Sequence, residues 1–128
     1  MKRIPNGGWR ALLLSFGLVS TLAFGAEQPP TLRLPDTIAP ASYRVKLAID
    51  PAKDTFAGGI DIKIDVKQPV DTIWLNATNL DIHDATLTVG GNRLKAQIVP
   101  GGTDFIGLHF QRVPAGAGEI RIRYTGHV

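Results

Sequence analysis

Apolar and polar residues alternate strictly in two stretches of the chain. In residues 43–50 the apolar positions are Tyr43, Val45, Leu47 and Ile49, and in residues 56–66 they are Phe56, Ile60, Ile62, Ile64 and Val66. A period of two sends successive side chains to opposite faces, so each stretch predicts a strand with one face in a core and one in water. In residues 72–76, Ile73, Trp74 and Leu75 are consecutive apolar positions, which predicts a strand covered on both sides. In residues 79–89 the apolar phase runs Leu80, Ile82 and then Ala85, Leu87, Val89. The three-residue step falls at His83 and Asp84, and a β-bulge is the simplest physical cause of such a slip.

Turn chemistry divides the rest of the chain. Gly90, Gly91 and Asn92 lie between the phase of Leu87 and Val89 and that of Leu94, Ala96 and Ile98, which predicts a hairpin. Residues 100–104 form a second turn, Ile106, Leu108 and Phe110 alternate, residues 114–118 read as a loop, and Ile120, Ile122 and Tyr124 alternate to the end. Seven or eight short antiparallel strands predict an all-β sandwich or saddle-like sheet. Trp74 and Tyr43 read as core residues. Upstream, Pro29 and Pro30 forbid a helix, and Pro35 and Pro40 confine their segment to an edge because neither has a ladder donor. The expected organisation is a leader over 1–26, an extended linker or edge segment over 27–40, and a β domain over 41–128.

The leader changes the charge picture. Lys2, Arg3 and Arg10 precede an uncharged stretch ending at Phe24, and Ala23, Gly25 and Ala26 are small, the layout of a helical secretory signal cut after Gly25 or Ala26. At roughly 14 residues the apolar stretch is shorter than the ~20 of a spanning helix, which argues against a stable membrane anchor. The chain has 14 Lys+Arg and 11 Asp+Glu. Three of those cations and none of the anions lie in the leader, leaving 11 of each sign. The pI near 9.5 therefore belongs to the leader, and nothing in the remainder asks for nucleic acid. Periplasmic or secreted placement is expected.

Candidate chemistry is sparse. The chain has no cysteine, which excludes disulfides, a thiol nucleophile and thiolate metal ligands. His83, His109 and His127 are far apart and lack a metal-binding spacing. His109 falls on the wet phase between Leu108 and Phe110. His83 beside Asp84 is the one arrangement in which a His–carboxylate contact could serve acid–base chemistry, though nothing nearby supplies a nucleophile. Asp61 and Asp65 flank Lys63 on a polar phase. The glycine pairs at 58–59 and 90–91 precede no helix that could hold a phosphate. Asn76 and Thr78 match a glycosylation acceptor, meaningful only in a eukaryotic secretory route. No residue is assigned a catalytic, cofactor-binding or metal-ligating role.

Several short pieces, in order, resemble one family. Leu32-Arg33-Leu34-Pro35, Pro40, Tyr43 with Val45, Leu47, Ile49 and Asp50, Phe56 with Gly58, and Ile60 with Ile62 resemble the opening of the zinc aminopeptidases of the aminopeptidase N type, the gluzincins. Ile73-Trp74-Leu75-Asn76, Leu80 with Ile82, and Ile120, Ile122, Tyr124-Thr125-Gly126 continue the match. The resemblance implies an N-terminal β domain that packs on a thermolysin-like catalytic domain carrying a His-Glu-x-x-His zinc helix, a distal Glu and a Gly-x-Met-Glu-Asn motif. None of these motifs occurs in the chain, so zinc and peptide substrates are expected only through a parent enzyme whose catalytic domain would be this domain's partner.

The resemblance implies a fragment that stops before the catalytic domain, with an exported short β module as the alternative. Unpaired strand edges in such a piece predict self-association. The leading expectation for function is thus a non-catalytic structural domain of an exported zinc aminopeptidase. A stand-alone β-sandwich binding peptide or glycan along an edge is the alternative, and an independent hydrolase lacks its nucleophile, metal cluster and paired acids.

Overall fold

A computed structural model describes residues 28–128; the leader read at 1–26 lies outside the described residues. Eight strands follow: β1 (Ile38–Ile49), β2 (Thr55–Val66), β3 (Val70–Asn76), β4 (Leu80–Val89), β5 (Asn92–Lys95), β6 (Gln97–Pro100), β7 (Phe105–Val113) and β8 (Gly116–His127). They form a five-stranded sheet in the order β1-β2-β8-β4-β5 and a three-stranded sheet in the order β3-β7-β6, with every pairing antiparallel. The core lies where the sheets meet. Ile62, Ile64 and Val66 of β2, Ala85, Leu87 and Val89 of β4, and Ile120 and Ile122 of β8 pack with Ile73 of β3 and Leu108, Phe110 and Val113 of β7. The fold class expected from alternation is the one observed.

The bulge forms where the phase slips: β4 shifts register against β8 between Ile82 and Asp84. The extra residue keeps Leu80 and Ile82 on the same face as Ala85, Leu87 and Val89. The β4–β5 hairpin closes on Val89 opposite Asn92, with Gly90 and Gly91 at φ 56° and 79°. Positive φ at both central residues is the type I′ turn, whose twist matches its strands, and glycine takes it without a Cβ clash.

Three expectations need correction. The strand expected to carry Leu94, Ala96 and Ile98 together is split at Ala96, because β5 belongs to the large sheet and β6 to the small one. The Ala96 N–H turns back to the Ala85 carbonyl at 2.9 Å as the chain crosses between layers. The loop expected over 114–118 is shorter: Ala117 and Gly118 already pair with Asp65 and Ile64 of β2. Pro40 lies inside β1, not before it, and a register shift between Pro40 and Ser42 accommodates it. Its missing donor costs nothing on the outer strand of the sheet.

The largest departure is β1 itself. Its alternating row Tyr43, Val45, Leu47 and Ile49 is 61%, 51%, 54% and 64% exposed, although alternation predicted a core face. The row does point to the inner side of the sheet, but among the described residues none stands over it. Burial along β2 explains why: Phe56 and Ile60 are half-buried, whereas Ile62, Ile64 and Val66 are buried. The three-stranded sheet covers the end of the large sheet near Val66 and leaves the end near Ile49 and the outermost strand uncovered.

Candidate functional site

The uncovered end is a continuous apolar shelf. Opposite residues of an antiparallel ladder share a face, so each rung can be followed across the sheet. Ile49 opposes Phe56, Leu47 opposes Gly58, and Val45 opposes Ile60. Phe56, Gly58 and Ile60 in turn oppose Gly126, Tyr124 and Ile122, and these oppose Leu80, Ile82 and Ala85, so the shelf runs into the buried core at Ile122 and Ala85. The two glycines leave room for two rings: a Cβ on Gly58 would collide with the Tyr124 ring, and one on Gly126 with the Phe56 ring. Phe56 and Tyr124 meet edge to face, with centroids 6.4 Å apart and planes at 86°, an arrangement favoured by the ring quadrupoles.

Between this shelf and the rim of the small sheet opens a cleft of about 240 Å³, walled by Ile60, Ile82 and Tyr124 on one side and Leu75, Ala77 and Ile106 on the other. Such a lining accepts apolar groups and has few polar atoms with which to orient them.

The opposite face of the large sheet is charged and wet. Arg121 Nε donates to Asp61 Oδ1 at 2.7 Å, and Arg44 Nη1 lies 4.0 Å from Asp61 Oδ2. Arg121 Nη2 also reaches Glu119 Oε1 at 3.4 Å, and Arg123 Nη2 reaches Asp84 Oδ2 at 3.5 Å. The hydrogen bond from Arg121 holds the Asp61 carboxyl below its ordinary range. Partial desolvation opposes this, and the positive charges of Arg121, Arg44 and Lys46 add to it. The same hydrogen bond raises Arg121. The cross-strand rungs Arg44–Asp61 and Asp61–Arg121 make this a register-fixing ladder.

The histidines go their separate ways. His83 Nε2 meets Thr125 Oγ1 at 2.8 Å while Asp84 pairs with Arg123. Neighbours in sequence thus take different partners at the bulge, and the considered His83–Asp84 couple does not form. His109 is exposed, as its phase predicts, yet its Nδ1 meets Thr72 Oγ1 at 3.1 Å, a contact no local pattern signals. His127 is exposed. Trp74 is buried over Gly101 and Gly107 on the other side of the small sheet, and its Nε1 has no hydrogen-bond partner. Tyr43, expected in the core, is exposed. Asn76 is exposed at the end of β3, and Thr78 Oγ1 donates to Asp104 at 3.4 Å. Among the described residues no three His, Cys, Asp or Glu side chains converge to hold a metal ion.

The sequence pattern that defines the peptidase M1 N-terminal domain matches residues 39–128. The chain belongs to the peptidase M1 family, through its N-terminal domain. This M1 domain is 31% identical over 98 residues to aminopeptidase N of Acetobacter pasteurianus, a match covering 75% of the chain and 27% of that protein. It is 30% identical over 105 residues to aminopeptidase M1-D of Oryza sativa subsp. japonica, covering 81% of the chain and 12% of that protein. The M1 zinc metallopeptidase of Deinococcus radiodurans superposes with a TM-score of 0.59 at 16% identity, over 73% of the chain and 21% of that structure. The fold is therefore shared, and the chain spans about a quarter or less of the length of these relatives.

Proposed function

We propose that the chain is the non-catalytic N-terminal β domain of an exported zinc-dependent aminopeptidase, which removes N-terminal residues from peptides. The observation that carries this reading is the M1 N-terminal match over residues 39–128, set beside relatives named as aminopeptidases. Zinc, when bound in such an enzyme, supplies an activated water and a polarised carbonyl. The described residues of this chain offer no donor set for it, so the reading assigns zinc to a catalytic domain of the same polypeptide. This chain's own part is to present a folded sheet to that domain. Export rests on the leader composition, and periplasmic or secreted placement follows from it.

The reading is tested by grafting residues 39–128 into the Acetobacter aminopeptidase N in place of the matched segment. Retained zinc content and retained hydrolysis of aminoacyl anilides are expected from the chimera, and neither from the isolated chain. A folded, zinc-loaded chimera without activity, or stoichiometric zinc in the isolated chain, would overturn it. Cell fractionation tests export separately. The apolar cleft between the sheets favours a second reading, a binding module for peptide side chains. Calorimetric titration of the isolated chain with apolar peptides decides that reading, and absence of heat removes it.

A further inference from the structure

The four outer strands of the two sheets differ in how they meet solvent. β5 is short and carries Arg93 and Lys95, β6 is short and ends in Pro100, and β3 has a register shift between Val70 and Thr72. These are the usual devices that keep an edge from pairing with another chain. Past its irregularity at Pro40, β1 pairs regularly with β2 from Ser42 to Ile49, and its inward row is exposed. Among the described residues no strand pairs with its outer side.

We propose that β1 pairs antiparallel with β1 of a second copy of this chain, about a two-fold axis at Leu47. Strand length and charge together select this register: axes at Tyr43 or Ala48 pair only three residues of the regular stretch Ser42–Ile49, although the second would set Lys46 against Asp50, and the charges at residues 44–50 decide among the rest. The axis must pass through a residue so that like faces meet, because opposite residues share a face. An axis at Arg44 or Lys46 sets that cation against itself, and an axis at Val45 sets Arg44 against Lys46. The axis at Leu47 instead sets Arg44 against Asp50 of the second copy, twice by symmetry. It also places Leu47 against Leu47, Val45 against Ile49 and Lys46 against Ala48. The Arg44 side chain is 70% exposed and only 4.0 Å from Asp61, and the Asp50 side chain is 50% exposed, so Arg44 can join it although Asp50 Oδ2 already pairs with Lys53 at 3.2 Å and Asp50 Oδ1 accepts from the Ala52 N–H at 3.1 Å. The pairing joins two five-stranded sheets into one and closes both β1 edges. It does not depend on the aminopeptidase reading.

Because the chain lacks cysteine, single-cysteine variants of the full chain report the register directly, and all the sites used are exposed. Under mild oxidation Leu47→Cys is expected to give a disulfide-linked dimer. Val45→Cys and Ile49→Cys are expected to fail singly and to succeed as a mixture. Arg44→Glu is expected to weaken the dimer roughly tenfold, and Arg44→Glu with Asp50→Lys to restore it. A one-chain mass for the unaltered protein by light scattering overturns the pairing and leaves β1 to another occupant, the chain's own leader or a different protein. Equal crosslinking of Leu47→Cys and Arg93→Cys on β5 overturns it as non-specific, and crosslinking of Val45→Cys alone overturns the register.

Discussion

The two ends of the large sheet's inner face share a sequence pattern and not a fate. Near Val66 the alternating residues are sealed: Val66 is 1% exposed, and Leu87 and Ile120 are 0%. On β1, an equally regular row of Val45, Leu47 and Ile49 is half or more exposed. Alternation settles which side a residue points to. What covers that side is decided by another sheet, built from residues remote in sequence, and three strands do not span five.

The comparison is broken most forcefully at the sealed end. Leu108 is fully buried on the central strand of the small sheet, so Leu108→Ala is expected to cost about 2–5 kcal/mol through lost transfer energy and an unfilled cavity. Chemical denaturation checks this, and a loss under about 1 kcal/mol would mean that the sheets are not packed together there. A smaller loss is expected between the two ends, where Gly58→Val drives the Tyr124 ring from its seat at a cost of about 1–3 kcal/mol. Near-UV circular dichroism should then lose part of its aromatic signal.

On the shelf the effect should shrink again. In the dissociated chain, at low protein concentration, Leu47→Thr is expected to change stability by no more than about 0.5 kcal/mol, since a half-exposed β-branched substitute fits the strand. A loss matching that of Leu108→Ala would show the shelf covered in solution.

The smallest effect concerns the charged face. Because Asp61 titrates below its unfolded value, its contribution is present above the ordinary aspartate value of about 4 and is lost as pH falls through the lower folded value. Asp61→Asn should therefore lose less stability than the parent on acidification below that point, a difference read from thermal midpoints against pH.

Much of the fold is legible in local pattern. The phase slip at His83 and Asp84 locates a real bulge, and the glycine pair at 90–91 locates a real hairpin, because both are settled by residues within a few positions. The break at Ala96 is not legible, since Leu94, Ala96 and Ile98 keep perfect phase while the chain changes sheets. The shelf is partly legible: a glycine inside a strand, as at Gly58 and Gly126, signals close approach. Which ring approaches depends on a register joining residues far apart in the chain. Adjacency misleads at His83 and Asp84, where the bulge hands one side chain to Thr125 and the other to Arg123. The aminopeptidase resemblance carried what periodicity could not, the family itself.

One feature of the strand order bears on how the molecule is made. β8 sits between β2 and β4, and its first and last rungs join Val66 to Gly116 and Thr55 to His127. During synthesis, hairpins such as β1–β2 and β4–β5 can zip as they emerge, but β2 and β4 lack a common neighbour until residues 116–127 leave the ribosome. The middle of the sheet is thus the last piece delivered. Such remote pairing makes closure slow, and a nascent chain waiting for it holds two unjoined ribbons apart.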